Sequence, residues 1–277
     1  MRTFNRRAAA LLASGLMALL AGCAGPGSKK DTIDMAGLSQ PVEIVRDRHG
    51  VSHIYAQNQE DLFFAQGFSA ARDRLWQLDL WRRQGEGRMA EQFGPRFVEQ
   101  DRAARLFLYR GDMQAEFASY HPQGKAILTS FAAGINAYVD WVKAHPEQLP
   151  PEFKLTGTQP GYWSPETPLI RIYGLTRNLA EEVRMSQRVA TMGLNTVQGL
   201  STFEPPLALQ VPAGMDVRLV DNSVLANYTL ARNGQKFVAA DFPRSPLAED
   251  QRAVLARSLS AGMLASLDPA FDPTAAR

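Results

Sequence analysis

Four histidines, a single cysteine and a group of arginines and aspartates on a helical pattern are the side chains of this 277-residue sequence best placed to do chemistry. His49 and His53 are four residues apart, a spacing that on a helix would let both imidazoles hold a metal ion. Here they fall across an Asp-Arg-His-Gly stretch that reads as a turn, so a structural role is preferred. His121 and His145 each precede a proline at a helix end and are expected to face solvent. Arg72, Asp73, Arg74 and Asp79 could orient another chain, but charges on an otherwise apolar helix more readily form internal ion pairs that fix its packing. The common catalytic signatures do not occur: there is no G-x-S-x-G elbow, no H-E-x-x-H, no Walker loop and no G-x-G-x-x-G. Read from these residues alone, the chain is a largely helical domain of unassigned use.

The N-terminus is more specific. Arg2, Arg6 and Arg7 precede an apolar run from Ala8 to Leu20 that is too short to span a bilayer and ends in Leu20-Ala21-Gly22-Cys23. That tetrapeptide resembles the lipobox of bacterial lipoproteins. The resemblance implies a signal peptide over residues 1–22, lipid attachment at Cys23 and a lipidated linker over 23–40. Ala24, being non-acidic, implies by the same resemblance the outer membrane, facing the periplasm. An ordinary export signal with an incidental cysteine is the alternative, and Arg6-Arg7 leaves the twin-arginine route open; both place the mature chain outside the cytoplasm. Cys23 is the only cysteine, so neither an intramolecular disulfide nor a thiolate metal cluster can form. Of the 30 Lys+Arg, three precede Cys23, leaving 27 against 28 Asp+Glu, a balance that gives no reason to expect a nucleic-acid partner.

The elements that must position any site follow from periodicity. PVEIVRDRHGVSHIYA (41–56) places Val42, Ile44, Val51 and Ile54 about a turn in which Gly50 can take positive φ, the pattern of a β-hairpin. Asn58 is a helix N-cap with Asp61 three residues on, and Phe64, Phe68, Ala71, Leu75 and Leu78 recur at helical spacing up to Arg83. Phe63, Trp76, Leu80 and Trp81 make the other side apolar too, so this helix is expected at the centre of its domain. A second helix carries Ile127, Phe131, Ile135, Tyr138 and Val142 and stops at His145-Pro146. Leu149 to Trp163, rich in proline, reads as an extended connection; Ser164-Pro165-Glu166 reads as the start of a helix running to about Gly193. Beyond Phe203 prolines break regular structure until a weaker helical pattern from Ala248 to Leu267. The fold class is α+β, predominantly helical with an N-terminal hairpin.

The run from Pro41 to Pro95, PVEIVRDRHGVSHIYAQNQEDLFFAQGFSAARDRLWQLDLWRRQGEGRMAEQFGP, is similar to the opening of the penicillin acylase family of N-terminal-nucleophile hydrolases. The similarity continues through RLFLYRGDM, AAGINAYVDW, LPPEFKLTGTQPGYWSPET and GLTRNLAEEVR as far as LVDNSVLANYTLA, in the family's order. It implies an αββα sandwich of which residues 41–203 are an α-subunit-like domain and 204–277 an α-subunit tail and spacer. It also implies that the reaction, cleavage of an acyl amide, belongs to a β subunit that begins with serine, usually within Gly-Ser-Asn-Asn. The α-amine of such a serine has an unperturbed pKa of about 7.7–8.0 and can act as the base. No Gly-Ser pair followed by asparagines occurs after Ala180; Ser201 and Ser223 have other neighbours, and 54 residues follow Ser223. The chain is therefore expected to be an α subunit with part of its spacer, a truncated product or one half of a split enzyme, lacking a catalytic residue and inactive alone.

By the same resemblance, the helix after Pro165 lines the acyl pocket, with Tyr173, Thr176, Arg177 and Asn178 as pocket candidates. A glutamate in the Glu181-Glu182-Val183-Arg184 motif, Glu182 preferred, would help hold a structural calcium together with β-subunit ligands. A lone carboxylate cannot supply the six to eight oxygens that calcium takes. The partners implied are a β subunit, a small acyl-amide substrate such as a β-lactam side chain or an acyl-homoserine lactone, and the membrane through Cys23. Two other readings stand beside this one. The first is a non-catalytic lipoprotein scaffold or binding module; the second is Cys23 as the nucleophile itself, which acylation of its sulfur and amine would preclude.

Overall fold

Alternation of apolar and polar residues around Asp47 gives the expected hairpin. In the computed structural model, which describes residues 32–170, 178–232 and 234–267, β1 (Glu43–Arg46) and β2 (Ser52–Tyr55) pair antiparallel, Ile44 opposite Ile54 and Val45 opposite His53. The Asp47 carboxylate accepts the backbone N–H groups of His49 (2.8 Å) and Val51 (2.9 Å), and Gly50 turns at φ 80°. The Val51 N–H, with His53 beside it, holds the Asp47 carboxyl below the usual carboxylate range. Because side chains alternate across a strand, Ile44, Ser52 and Ile54 are half-buried while Val45 and Tyr55 stand in solvent.

Helix α1 (Gln59–Glu86) runs 28 residues, about 42 Å at the α-helical rise, three residues beyond the expected end. Asn58 caps it by accepting the Asp61 N–H at 2.8 Å. Asp61, 2% exposed, accepts the N–H (2.8 Å) and hydroxyl (2.7 Å) of Ser39 and the N–H of Gln40 (2.9 Å), pinning the incoming chain to the helix start. These donors, the Ser39 N–H foremost, hold its carboxyl below the usual range. Gly87 closes the other end at φ 65°, its N–H on the carbonyls of Arg83 and Gln84. Arg74 leaves helical geometry at φ −140°, ψ 28°, and kinks α1 there. The hairpin docks on this helix through the Ser69 hydroxyl on that of Ser52 (3.1 Å) and an Arg46–Asp73 ion pair.

Three short helices lead to the crossing that forms the core: α2 (Ala90–Phe93) and α3 (Val98–Leu106) follow α1, then α4 (Met113–Tyr120) precedes α5 (Gly124–Ala144). Where α5 crosses α1 the two backbones touch. A Cβ at Gly134 would overlap the Phe64 carbonyl and one at Gly67 the Phe131 carbonyl, so only glycine fits at either position. Phe68 meets Tyr138 edge-on at 5.3 Å, and Ile135, Val139 and Val142 are 1% exposed or less. Each such burial is worth about 1.5–3 kcal/mol, which makes this crossing the main apolar contact. A second nest joins Trp76, Phe93, Phe153, Phe237 and Phe242, with Trp76–Phe153 and Phe93–Phe237 centroids 5.0 Å apart. Asp101 of α3 accepts the N–H groups of Met89 (2.9 Å) and Ala90 (2.8 Å) to start α2, while burial pushes its carboxyl up.

Two expectations are corrected. Leu149 to Trp163 is not wholly extended: α6 (Pro151–Thr156) forms within it, because Pro150 and Pro151 sit at the helix start, where no backbone N–H is needed. No continuous helix begins at Pro165. A single 3-10 turn at Thr167–Leu169, with Pro168 in its first positions, gives way to extended backbone at Ile170. Helix is seen again as α7 (Asn178–Met192), which Gly193 ends at φ 81°. There follow α8 (Leu194–Leu200), α9 (Ala226–Arg232), packed on α3, and α10 (Glu249–Leu267). From Gly37 onward the described residues form one compact unit, mostly helical with one small two-stranded antiparallel sheet. Among them no helix is long and apolar enough to cross a membrane.

Candidate functional site

The most heavily braced irregular segment is a strap, residues 158–170, laid over α1 and α5. Asp79, Arg82 and Arg83 stand one turn apart on α1 and are 3–5% exposed. The Asp79 carboxylate accepts from Arg82 Nη2 (2.8 Å), Arg83 Nε (2.6 Å) and the Gly161 N–H (2.9 Å), while Arg83 also donates to the Gln159 carbonyl (3.2 Å). Arg82 passes a second bond to Glu86 Oε2 (2.9 Å), and Glu86 Oε1 accepts the Thr167 hydroxyl (3.4 Å). On α5, Asn136 accepts the Trp163 N–H and donates to the Trp163 carbonyl, both at 2.8 Å, as a neighbouring strand would. Tyr162 donates to Asp140 (2.5 Å) beneath the Lys143 ammonium, 3.8 Å from its ring centre. A buried ion pair is tolerable only when its remaining lone pairs and protons are satisfied, and here strap backbone groups satisfy several of them.

Asp79 therefore has the expected internal role, but its three companions do not share it. Arg72, Asp73 and Arg74 lie nearer the surface: Asp73 pairs with Arg46 and Arg74 donates to Gln77 at 3.2 Å. They line, with Gln77, Glu152 and Ser258, a cleft of about 400 Å³ at the α1 kink.

The described part of the strap runs to Ile170, three residues before the first expected pocket residue. Tyr173, Thr176 and Arg177 lie outside the described residues, as do Cys23 and the side chain of Asn178; the Asn178 backbone is the first residue of α7. Glu182 is exposed on α7, its carbonyl accepting the Ser186 hydroxyl at 3.0 Å, and it is Glu181 that pairs with Arg184. No group of three or more His, Cys, Asp or Glu among the described residues is arranged to hold a metal ion. The four histidines are engaged locally: His49 accepts from Arg48 (3.1 Å) and His53 meets Asp47 (3.3 Å) on the hairpin. His121 accepts the Gln123 N–H (3.1 Å), and His145 stacks on Trp141.

The family model described as penicillin amidase matches residues 41–254. The chain belongs to the penicillin amidase family. Among its penicillin amidase relatives, penicillin G acylase of Escherichia coli is 31% identical over 217 residues, 76% of this chain and 25% of the relative. Acyl-homoserine lactone acylase QuiP of Pseudomonas aeruginosa is 30% identical over 61% of this chain and 20% of its own. The solved thermostable penicillin G acylase of Alcaligenes faecalis is similar at 27% identity and a TM-score of 0.48, over 64% of this chain and all of the solved one. This chain thus spans about a quarter or less of the length of those two curated relatives.

Reading the sequence missed Glu86, Asn136 and Thr167. Asn136 carried the one available signal, a polar residue within the apolar run Ile135–Val139.

Proposed function

We propose that this chain is the α-subunit portion of a penicillin-acylase-type amide hydrolase whose nucleophilic serine is supplied by a β part outside these 277 residues. The observation that carries the reading is the penicillin amidase match over residues 41–254. In this reading residues 41–203 are the α-subunit-like domain, 204–277 its tail and spacer, and the whole enzyme an αββα sandwich. The hairpin supports the layered arrangement: one face lies on α1, while Val45 and Tyr55 on the other are open to a second layer. Leu200, Leu207, Leu219 and Val224, each more than half exposed, support a covering partner.

In this reading Tyr173, Thr176, Arg177 and Asn178 line the acyl pocket and the strap carries the chain to them. The β part supplies nucleophile, base and oxyanion donors. The substrate is an acyl amide, of the β-lactam or acyl-homoserine lactone kind named for the relatives. Calcium fits the described residues only in part, since Glu182 stands alone among them as an exposed carboxylate; its other ligands would come from the β part, and no chemical step is assigned to it. Cys23 carries the lipid that holds the enzyme on the outer membrane, facing the periplasm.

The test is release of 6-aminopenicillanic acid from penicillin G, and of free acid from an acyl-homoserine lactone, by the chain alone and by the chain produced with its β part. Turnover is expected only with the β part. Turnover by the chain alone would overturn the placement of the nucleophile, and none with the β part would favour a non-catalytic scaffold. A mature N-terminus at Cys23 bearing lipid, lost in Cys23→Ser, checks the anchor by mass.

A further inference from the structure

The kink in α1 opens onto a cleft whose walls differ in chemistry. Arg74 leaves helical geometry at φ −140°, ψ 28°, yet neither proline nor glycine lies between Phe68 and Gln84 to cause it. Kinks without such residues arise where another group enters the hydrogen-bond ladder. The cleft at this break holds about 400 Å³, inside the range of about 300–1,000 Å³ typical of small-molecule sites. Leu75, Trp76, Pro150 and Leu259 give it an apolar wall, and Arg72 and Arg74 a cationic one.

Neither guanidinium has an anion at hydrogen-bond distance among the described residues. Asp73 gives its carboxylate to Arg46 and stands 3.9 Å from Arg72 Nε, while Arg74 donates to the neutral side chain of Gln77 at 3.2 Å. Glu152 also lines the cleft. Counting Arg46, three guanidiniums meet the two carboxylates of Asp73 and Glu152, and the surplus of one positive charge suits a monoanion better than a dianion. We propose that this cleft binds a small organic carboxylate, its oxygens on Arg72 and Arg74 and its apolar body against Leu75, Trp76 and Pro150. The guanidinium fork matches the carboxylate in geometry as well as charge. Every group that the site uses belongs to this chain, so binding does not depend on the acylase reading.

Magnetic resonance of the purified 277-residue chain with isotope-labelled tryptophan tests this, the Trp76 indole signal being assigned from Trp76→Phe. Benzoate is expected to move that signal saturably, and benzamide, its neutral counterpart, to leave it in place. Arg72→Gln and Arg74→Gln should each weaken benzoate binding about tenfold. Glu152→Gln should tighten it about twofold, because a like charge is removed. Arg74 is exposed and Glu152 half-buried, and opposite shifts from these two variants are not what a loss of folding would give. A response to benzoate that does not saturate, or equal binding of benzamide, overturns the site. Inorganic phosphate binding as tightly as benzoate would mean a bare cationic surface, and benzoate affinity unmoved in both arginine variants would place the ligand elsewhere; either result overturns it too.

Discussion

Where α1 crosses α5, Ile135, Val139 and Val142 are 1% exposed or less; from Leu200 to Leu219 three leucines are between 62% and 77% exposed. The first region closes on itself, glycine against backbone, with aromatic rings locking the sides. In the second, α7 packs on α8 and on the 3-10 turn Val217–Leu219, yet large apolar side chains face outward. Single exposed leucines are ordinary on protein surfaces, but a succession of them along one stretch is the kind of surface that the proposed β part would cover. The contrast separates a region that is closed by its own packing from one whose apolar side chains find no cover within the described residues.

The strongest way to break that comparison is Asp79→Ala. It leaves Arg83 buried without its anion and Arg82 with Glu86 alone, and should lower stability by about 3–5 kcal/mol in urea unfolding; an unchanged midpoint would mean the strap is not braced there. Gly134→Ala drives a methyl into the Phe64 carbonyl and should cost about 1–3 kcal/mol by the same measurement, despite alanine's better helix propensity. Acid sharpens the picture at the entrance to α1. The Asp61 carboxyl is lowered from 3.8 by its donors, so its contribution is present above that value and lost as pH falls through its folded value. Asp101, raised by burial, has the opposite sign: its contribution is present below 3.8 and lost as pH rises through its folded value. Asp61→Asn should therefore flatten the loss of stability below pH 3.8, read by circular dichroism against pH. The smallest effect is expected from Leu200→Ser with Leu219→Ser. Stability should change by within about 0.5 kcal/mol per site, while apolar dye binding and self-association fall; a large loss of stability would mean these leucines belong to a core.

The hairpin, the Asn58 cap and both long helices were legible because each is declared by neighbours in sequence: alternation around Gly50, an Asx cap, apolar recurrence every three or four residues. An internal ion-pairing role for Asp79 was legible as well, but its partners Arg82 and Arg83, one turn on, were not named by the sequence pattern. The strap was not. Asp79 meets Gly161 across 82 positions and Glu86 meets Thr167 across 81, and no local pattern connects them. Prolines misled in both directions: at Pro150-Pro151 they start a helix that read as extended chain, while Pro165, which read as the start of a long helix, is followed only by the 3-10 turn Thr167–Leu169 before the chain extends at Ile170.

By itself the sequence determined the hairpin and the long helices, the central place of the α1 helix and, through its ordered motifs, the penicillin amidase family. Tertiary structure alone decided that Asn136 acts as a strand edge for Trp163, that Gly85 yields its space to Ile170, and that Leu200, Leu207 and Leu219 stay outside the core while Phe237 and Phe242 enter it. The physical reason is that periodicity records which face of an element is buried. It does not record which distant backbone group will satisfy a buried charge or occupy the gap left by a missing Cβ.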